Sequence, residues 1–181
     1  MTTEIIIAGF GGQGVLSMGK ILAYTGLMAD KNVSWFPSYG PEQRGGTANC
    51  TVIISDEEIS SPIIDTYDVA IILNQPSMER FESHVKAGGA IIYDPYGIIN
   101  PPTRKDIEVY SIAAMDEATK VGNAKAFNMF VLGGLLRILG ITDEEVVGAA
   151  LRKTLPERHH GLIPMNIEAL RTGAEIIKKQ A

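Results

Sequence analysis

At 181 residues, 45% of them hydrophobic and 20% charged, the chain is long enough for one well-buried α/β domain and short for two. The formal net charge of −5 and pI near 5.2 exclude the basic footprint of a nucleic-acid binder, since no Lys/Arg run offsets the acidic balance. The longest apolar stretch, Phe127 to Leu139, is broken by Asn128 and Arg137 and falls short of the ~20 residues that span a bilayer. No secretory leader is read before the first strand, and a lone Cys50 excludes an internal disulfide, so the expected setting is a reducing cytoplasm without a membrane partner.

Near the start, Ile5, Ile6 and Ile7 run together without polar alternation, as in a strand buried on both faces. Gly9, Gly11 and Gly14 follow at G-x-G-x-x-G spacing, and a helix opens at Val15 with Leu16, Ile21, Leu22 and Leu27 on its apolar positions. Its free N–H groups and positive dipole end face whatever lies over the loop, preferably an anion. Two readings of the loop stand side by side: an anion site, or a glycine turn that only lets a helix pack on a sheet. A dinucleotide site needs an acid at the end of the second strand, yet Asn32 to Phe36 is followed by Pro37, Ser38, Tyr39 and Gly40, and Asp30 precedes the strand. A phosphate-binding Walker loop needs Lys and Ser/Thr where Val15 and Leu16 stand.

The stretch from Trp35 to Thr47 holds the only Trp, two prolines, three glycines and Arg44. It reads either as a binding loop, with Arg44 and the N–H groups of Gly45 and Gly46 holding a phosphate or carboxylate, or as a surface connection with solvated charges. Ala48 to Ile54 is a strand, Asp56-Glu57-Glu58 a polar turn, and Ile59 to Pro62 the short return of a hairpin. Asp68 to Leu73 is a buried strand, after which Asn74 or Ser77 caps a helix carrying Phe81 and Val85 and stopped by Gly88-Gly89. Strands follow at Ala90 to Asp94 and Val109 to Ile112, then a short helix from Asp116 to Val121. Gly122 to Gly134 opens a helix that is apolar all round, runs to about Leu139 and must be covered. Thr142-Asp143-Glu144-Glu145 matches a capping box for a helix to about Leu155, Pro156 to Pro164 is a loop, and Asn166 to Lys179 is a last amphipathic helix. Strands alternating with helices predict right-handed crossovers and a single Rossmann-like α/β domain, its mostly parallel sheet covered by helices on both faces.

No self-contained catalytic set emerges. His84, His159 and His160 are the only histidines, and with one cysteine they provide neither metal-ligand spacing nor cluster thiolates. Cys50, in a strand without a basic neighbour, reads as a buried structural thiol. No G-x-S-x-G elbow is present. Asn123 and Asn128 stand where the apolar helix begins and read as caps. The domain looks like part of a larger enzyme.

Three motifs, Gly9 to Val15, Ser38 to Gly46 and Gly122 to Met129, make the chain resemble the gamma subunit of 2-oxoacid:ferredoxin (acceptor) oxidoreductases, in the same order and over essentially its whole length. The resemblance implies a single pyruvate/ketoisovalerate oxidoreductase gamma-type catalytic domain over residues 1–181. It implies a complex that converts a 2-oxoacid and coenzyme A to acyl-CoA and carbon dioxide, with ferredoxin as acceptor. Thiamine diphosphate and magnesium are expected on alpha and beta partner chains, and iron–sulfur clusters on beta or a ferredoxin-like delta chain. The 2-oxoglutarate branch is the most similar, beside the pyruvate, branched-chain and indolepyruvate branches. The chain's own role is then structural and interfacial, with an anion or coenzyme A site drawn from Gly11, Gly12, Gln13, Gly14, Ser38, Tyr39, Gly40, Arg44, Gly45 and Asn128. The competing readings are a stand-alone NAD or flavin module and a ligand-free partner interface.

Overall fold

Consecutive β-branched residues place the first strand at the centre of the sheet. The structure, a computed structural model, describes residues 1–39 and 46–180, Tyr39 through its backbone alone. In it β1 (Thr2–Phe10) lies between β3 (Thr47–Ser55), antiparallel, and β4 (Tyr67–Ile72), parallel. With β2 (Asn32–Tyr39), β5 (Val85–Tyr93), β6 (Glu108–Ser111) and β7 (Lys178–Lys179), the order is β2-β3-β1-β4-β5-β6-β7. Among the described strands only β3 and β7 oppose the rest, so the sheet is mostly parallel, as expected.

The pleat of β1 divides the core. Ile5 and Ile7 join a cluster under α1 (Val15–Met28), α3 (Ala114–Lys120), α4 (Phe127–Ile138), α5 (Glu144–Thr154) and α6 (Ile163–Ile176). Ile6 and Ala8 face the other way, toward Met78 and Phe81 of α2 (Gln75–Phe81) and the loop residues Ile64, Ile98 and Ile107. Helices therefore cover both faces, but five of the six lie on one. The apolar α4 is covered as required, by α6. Gly133 and Gly173 make this crossing reciprocal, because a Cβ on Gly133 would overlap the Leu170 carbonyl oxygen and one on Gly173 the Phe130 carbonyl oxygen. No helix among the described residues is long and apolar enough to cross a membrane.

Several boundaries differ from the sequence reading for identifiable reasons. The segment Ile59 to Pro62 forms no strand, because the sheet partner of β3 on that side is already β1. The helix through Phe81 ends there and gives way to a 3-10 turn at Glu82–His84, so Val85 opens β5 and is not on the helix. Gly88-Gly89 lies inside β5, where a register shift against β4 and a φ of +78° at Gly88 mark a bulge that glycine tolerates. Asp143, not Thr142, caps α5: its Oδ1 accepts from Glu145 N at 2.9 Å. Residues Glu157–Leu162 form a 3-10 turn, and Pro164 sits in the first turn of α6, where its missing N–H costs nothing. The last helix stops at Ile176, and Lys178–Lys179 pair with Tyr110 and Ser111 as β7.

Close packing of α1 on the sheet depends on a third glycine. Gly19 faces the Cys50 sulfur, where a Cβ would collide, and its next neighbour is Trp35 Nε1. The buried Cys50 thiol donates to Val15 O at 3.5 Å, and the Trp35 indole N–H finds no oxygen acceptor among the described residues. Burial pushes the thiol from its ordinary 9.0 up to about 12, as a structural cysteine requires.

Three outcomes are expected. Gly133→Ala should cost about 3 kcal/mol through overpacking, lowering the Tm in a circular-dichroism melt by roughly 6–12 °C. Gly148→Ala, whose Cβ would meet nothing nearer than Arg152 Nη1 at 3.9 Å, should leave stability unchanged or raise it by up to about 1 kcal/mol. Cys50 should resist a disulfide-exchange reagent in the native chain at about pH 8 and react as one thiol after unfolding in guanidinium; rapid native labelling would contradict its burial.

Candidate functional site

Two residues of the glycine loop, Gly11 and Gln13, are held by backbone bonds. Gly11 N donates to Gly46 O at 3.0 Å and Gln13 N to Phe10 O at 3.2 Å. Gly12 and Gly14 take φ values of +96° and +76°, the left-handed region that a side chain resists. Gly14 is the N-cap of α1; it has no side chain to cap the helix, and the first turn holds no acid. The N–H groups of that turn are therefore left for an acceptor from outside the helix.

The connections after β1 and β4 leave the sheet toward opposite faces, one to α1 and the other to α2. The carboxyl ends of these neighbouring strands thus form a switch point, the usual place for a ligand crevice in an open α/β sheet. Here Gln13 fills it. Its Oε1 accepts from Phe10 N at 2.6 Å and its Nε2 donates to Leu73 O at 3.2 Å, tying the loop to the chain just beyond β4. From the β5 side Gly97 presses so closely on Leu73 that a Cβ there would strike its carbonyl oxygen. Two further features oppose a dinucleotide. The insertion of β3 separates β2 from β1 by one strand, and Asp30 lies in the turn before β2, at the opposite edge of the sheet. The NAD or flavin reading is not favoured.

Beside the switch point lies an open cleft of about 160 Å³, lined by Gly12, Gln13, Gly14, Ala124, Lys125, Phe127 and Asn128. Asn128, half-buried in the first turn of α4, turns its amide onto Gly14: Nδ2 lies 2.6 Å from where a Gly14 Cβ would stand. The beginnings of α1 and α4 therefore meet here. α1 has no side-chain cap and no acid in its first turn, whereas α4 continues from a 3-10 turn, Ala124–Ala126, that Asn123 caps and whose Ala124 carbonyl accepts from Phe127 N; among the described residues Lys125 is the one charged residue lining the cleft. The open positive end of α1 and one ammonium, with no carboxylate among the described lining residues, suit an anion such as a phosphate.

Gly12, Gln13, Gly14 and Asn128 of the sequence-derived set thus come together, although the Gln13 amide is largely spent inside the protein. Gly11 is next to them, its N–H committed to Gly46. Ser38, exposed on β2, shares the sheet edge but stands two strands, roughly 10 Å, from β1. Gly40, Arg44, Gly45 and the side chain of Tyr39 lie outside the described residues, whose flanks, Tyr39 and Gly46, end beside Ala48 and Gly11. Asn123 is a cap, its Oδ1 accepting from Lys125 N at 3.2 Å, whereas Asn128 is not one. Lys125 is the residue that sequence reasoning passed over; its place three before Asn128, one helical turn away, was the available signal.

Other polar groups at this edge are structural. Burial raises the Asp94 carboxyl above the ordinary range, opposed by backbone N–H groups; its oxygens accept from Tyr96 N and Met115 N, each at 2.8 Å, splicing β5 to α3. His159 and His160 are half-buried in the 3-10 turn, and His160 Nε2 lies 3.0 Å from Leu155 O. The described residues contain no group of three side chains able to hold a metal ion, and a buried, un-ionised Cys50 does not fit a cluster ligand.

Residues 4–176 match the family model for pyruvate ferredoxin/flavodoxin oxidoreductase. The ketoisovalerate oxidoreductase subunit VorA of Methanothermobacter thermautotrophicus is 43% identical over 174 residues, which is 95% of this chain and 36% of that protein. The chain therefore spans little more than a third of that relative. The 2-oxoglutarate synthase subunit KorC of Methanothermobacter marburgensis is 34% identical over 188 residues and is matched over 97% of its own length. Among solved structures, a keto/oxoacid ferredoxin oxidoreductase gamma subunit from Geobacter sulfurreducens superposes with a TM-score of 0.80 at 26% identity, covering 97% of this chain and 96% of that one. The 2-oxoglutarate:ferredoxin oxidoreductase from Magnetococcus marinus, solved with 2-oxoglutarate, coenzyme A and succinyl-CoA bound, gives 0.86 at 26% identity, covering 99% of this chain and 32% of that one. With the fold, the glycine loop and the α4 motif in place, the chain belongs to the pyruvate ferredoxin/flavodoxin oxidoreductase family, as a gamma-type domain.

Proposed function

We propose that this chain is the gamma-type part of a multi-subunit 2-oxoacid:ferredoxin oxidoreductase and that its own cleft receives a phosphate of coenzyme A. The observation that carries the second half is the uncapped beginning of α1 at Gly14, set against Asn128 with Lys125 beside it. The bound coenzyme A in the Magnetococcus marinus enzyme supports a ligand of that kind. Coenzyme A supplies the thiol that accepts the acyl group. This chain's part is to hold the phosphate end: N–H groups of α1 and the Lys125 ammonium bind it, while Gln13 keeps the loop at a fixed height above β4. Arg44 belongs to the same proposal as a second cation. Carbon–carbon cleavage and electron transfer fall to the alpha, beta and delta-type partners, with thiamine diphosphate, magnesium and iron–sulfur clusters there and ferredoxin as acceptor.

For the 2-oxoacid, the 43% identity to a VorA chain against 34% to a KorC chain favours a branched-chain substrate such as ketoisovalerate. The 2-oxoglutarate reading keeps one argument, the match to KorC over 97% of that protein.

In the assembled complex, Lys125→Ala should raise the KM for coenzyme A roughly tenfold or more, the worth of one charge-assisted hydrogen bond, with kcat little changed. An unaltered KM would remove Lys125 from the site. A substrate panel on the same complex should give the higher kcat/KM with ketoisovalerate, and a preference for 2-oxoglutarate would reverse the branch.

A further inference from the structure

α4, α5 and α6 leave a pocket between them on the helix-rich side of the sheet. α4 is pressed against α6 at the Gly133 and Gly173 crossing, while α5 packs chiefly on α1 and touches α6 little, so a wedge stays open between the three. It holds about 320 Å³, within the roughly 300–1,000 Å³ of pockets that enclose a small molecule. Leu136, Ile141, Val147, Ile167 and Leu170 line its wall, and Leu136, Val147 and Leu170 are buried. None of these side chains offers a hydrogen bond.

The charged lining residues Arg137, Glu144 and Arg171 are exposed and stand at the mouth. Two of the three neutralise each other. The Arg171 guanidinium donates through Nε and Nη2 to the Glu144 carboxylate at 3.0 Å, and through Nη1 to Glu168 at 2.6 Å. Arg137 is placed differently: it donates to the Ala174 carbonyl oxygen and forms no ion pair with a carboxylate among the described residues. A guanidinium carries five N–H donors in a planar fork, so one bond to a carbonyl leaves donors for a second acceptor.

We infer that this pocket binds an aliphatic monocarboxylate of medium chain length, its tail among the apolar side chains and its carboxylate on Arg137. The chemistry selects this class. An amino, hydroxyl or phosphate group on the tail would lose its water there without gaining a partner, whereas a hydrocarbon chain loses nothing. One cation without an ionic partner calls for one negative charge, and the two oxygens of a carboxylate match the fork. Glu144 at the same mouth disfavours a doubly charged head such as a phosphate. Arg137 stands nine residues after Asn128 on α4, about 14 Å along the helix axis. The pocket is therefore separate from the glycine-loop cleft, and the inference does not rest on the function proposed above.

The test titrates octanoate into the full chain and reads binding by calorimetry. The unmodified chain should bind one octanoate saturably. Octylamine, which reverses the head charge, and octanoate on Arg137→Gln should each bind at least tenfold more weakly, the worth of one charge-assisted hydrogen bond. Butanoate, with four fewer methylenes to bury, should lose at least as much. Ala174→Leu, which fills the pocket with an apolar side chain, should abolish saturable binding. A Tm for each variant guards against misfolding, and methyl NMR of the unmodified chain needs no variant: the Ile141, Val147 and Ile167 methyl signals should shift with octanoate, and those of Ile63, exposed on a loop away from these helices, should not. Absence of saturable octanoate binding, equal binding of octylamine, or shifts that miss these methyls overturns the inference. Each of those results leaves the coenzyme A dependence of the assembled complex unchanged, so it is told apart from a failure of the proposed function.

Discussion

Gly14 meets two demands that no other residue type satisfies together. Its φ of +76° turns the chain from β1 into α1, and the space a side chain would fill is taken by Asn128. The first demand is backbone strain and the second is overlap, so a residue that tolerates left-handed geometry, such as Asn, still fails on volume. Because the two helices meet there, α4 is fixed in height and direction at its first turn. Through the reciprocal glycine crossing at Gly133 and Gly173, α6 is then fixed on α4. The register of α4 and α6 on the sheet is thus set in part at the edge where a ligand would enter.

Gln13 explains how a loop with the spacing of a dinucleotide fingerprint can serve another purpose. Glycine spacing specifies a turn and a close backbone approach, and both are present. What occupies the approach is decided by neighbours remote in sequence: a side-chain amide from within the loop, and Gly97 pressed against Leu73. With β3 inserted between β1 and β2, the acid-bearing strand end that would complete a ribose site has no adjacent position to occupy.

Most of the architecture was legible because its signals are local. The isoleucine run of β1, the Asn74 and Asp143 caps and the all-apolar α4 each report burial or end chemistry within a few residues. The misreadings came where a local signal has two solutions. Gly88-Gly89 stops a helix or permits a bulge, and only the pairing of Val85 with Tyr67 decides it. Lys178–Lys179 continue a helical pattern, yet β6 offers an open edge and the backbone pairs there. In the site, Gly12, Gly14 and Asn128 were readable from the loop and its motif partner. The use of Gln13 as an internal tie was not, since its acceptor Leu73 is sixty residues away, and Lys125 was hidden by its ordinary appearance as a surface charge.

The two borders of the sheet have a consequence for how the domain joins other molecules. On one side the outermost strand is β2, interrupted by Pro37, which lacks an amide hydrogen; on the other it is β7, two lysines long. Prolines and short, charged end strands are the devices by which sheets avoid recruiting a further strand from a stranger. A domain so terminated cannot readily grow by extending its ladder, so it does not polymerise through main-chain hydrogen bonds. Its associations have to be written in side chains, which makes them selective and reversible by point substitution.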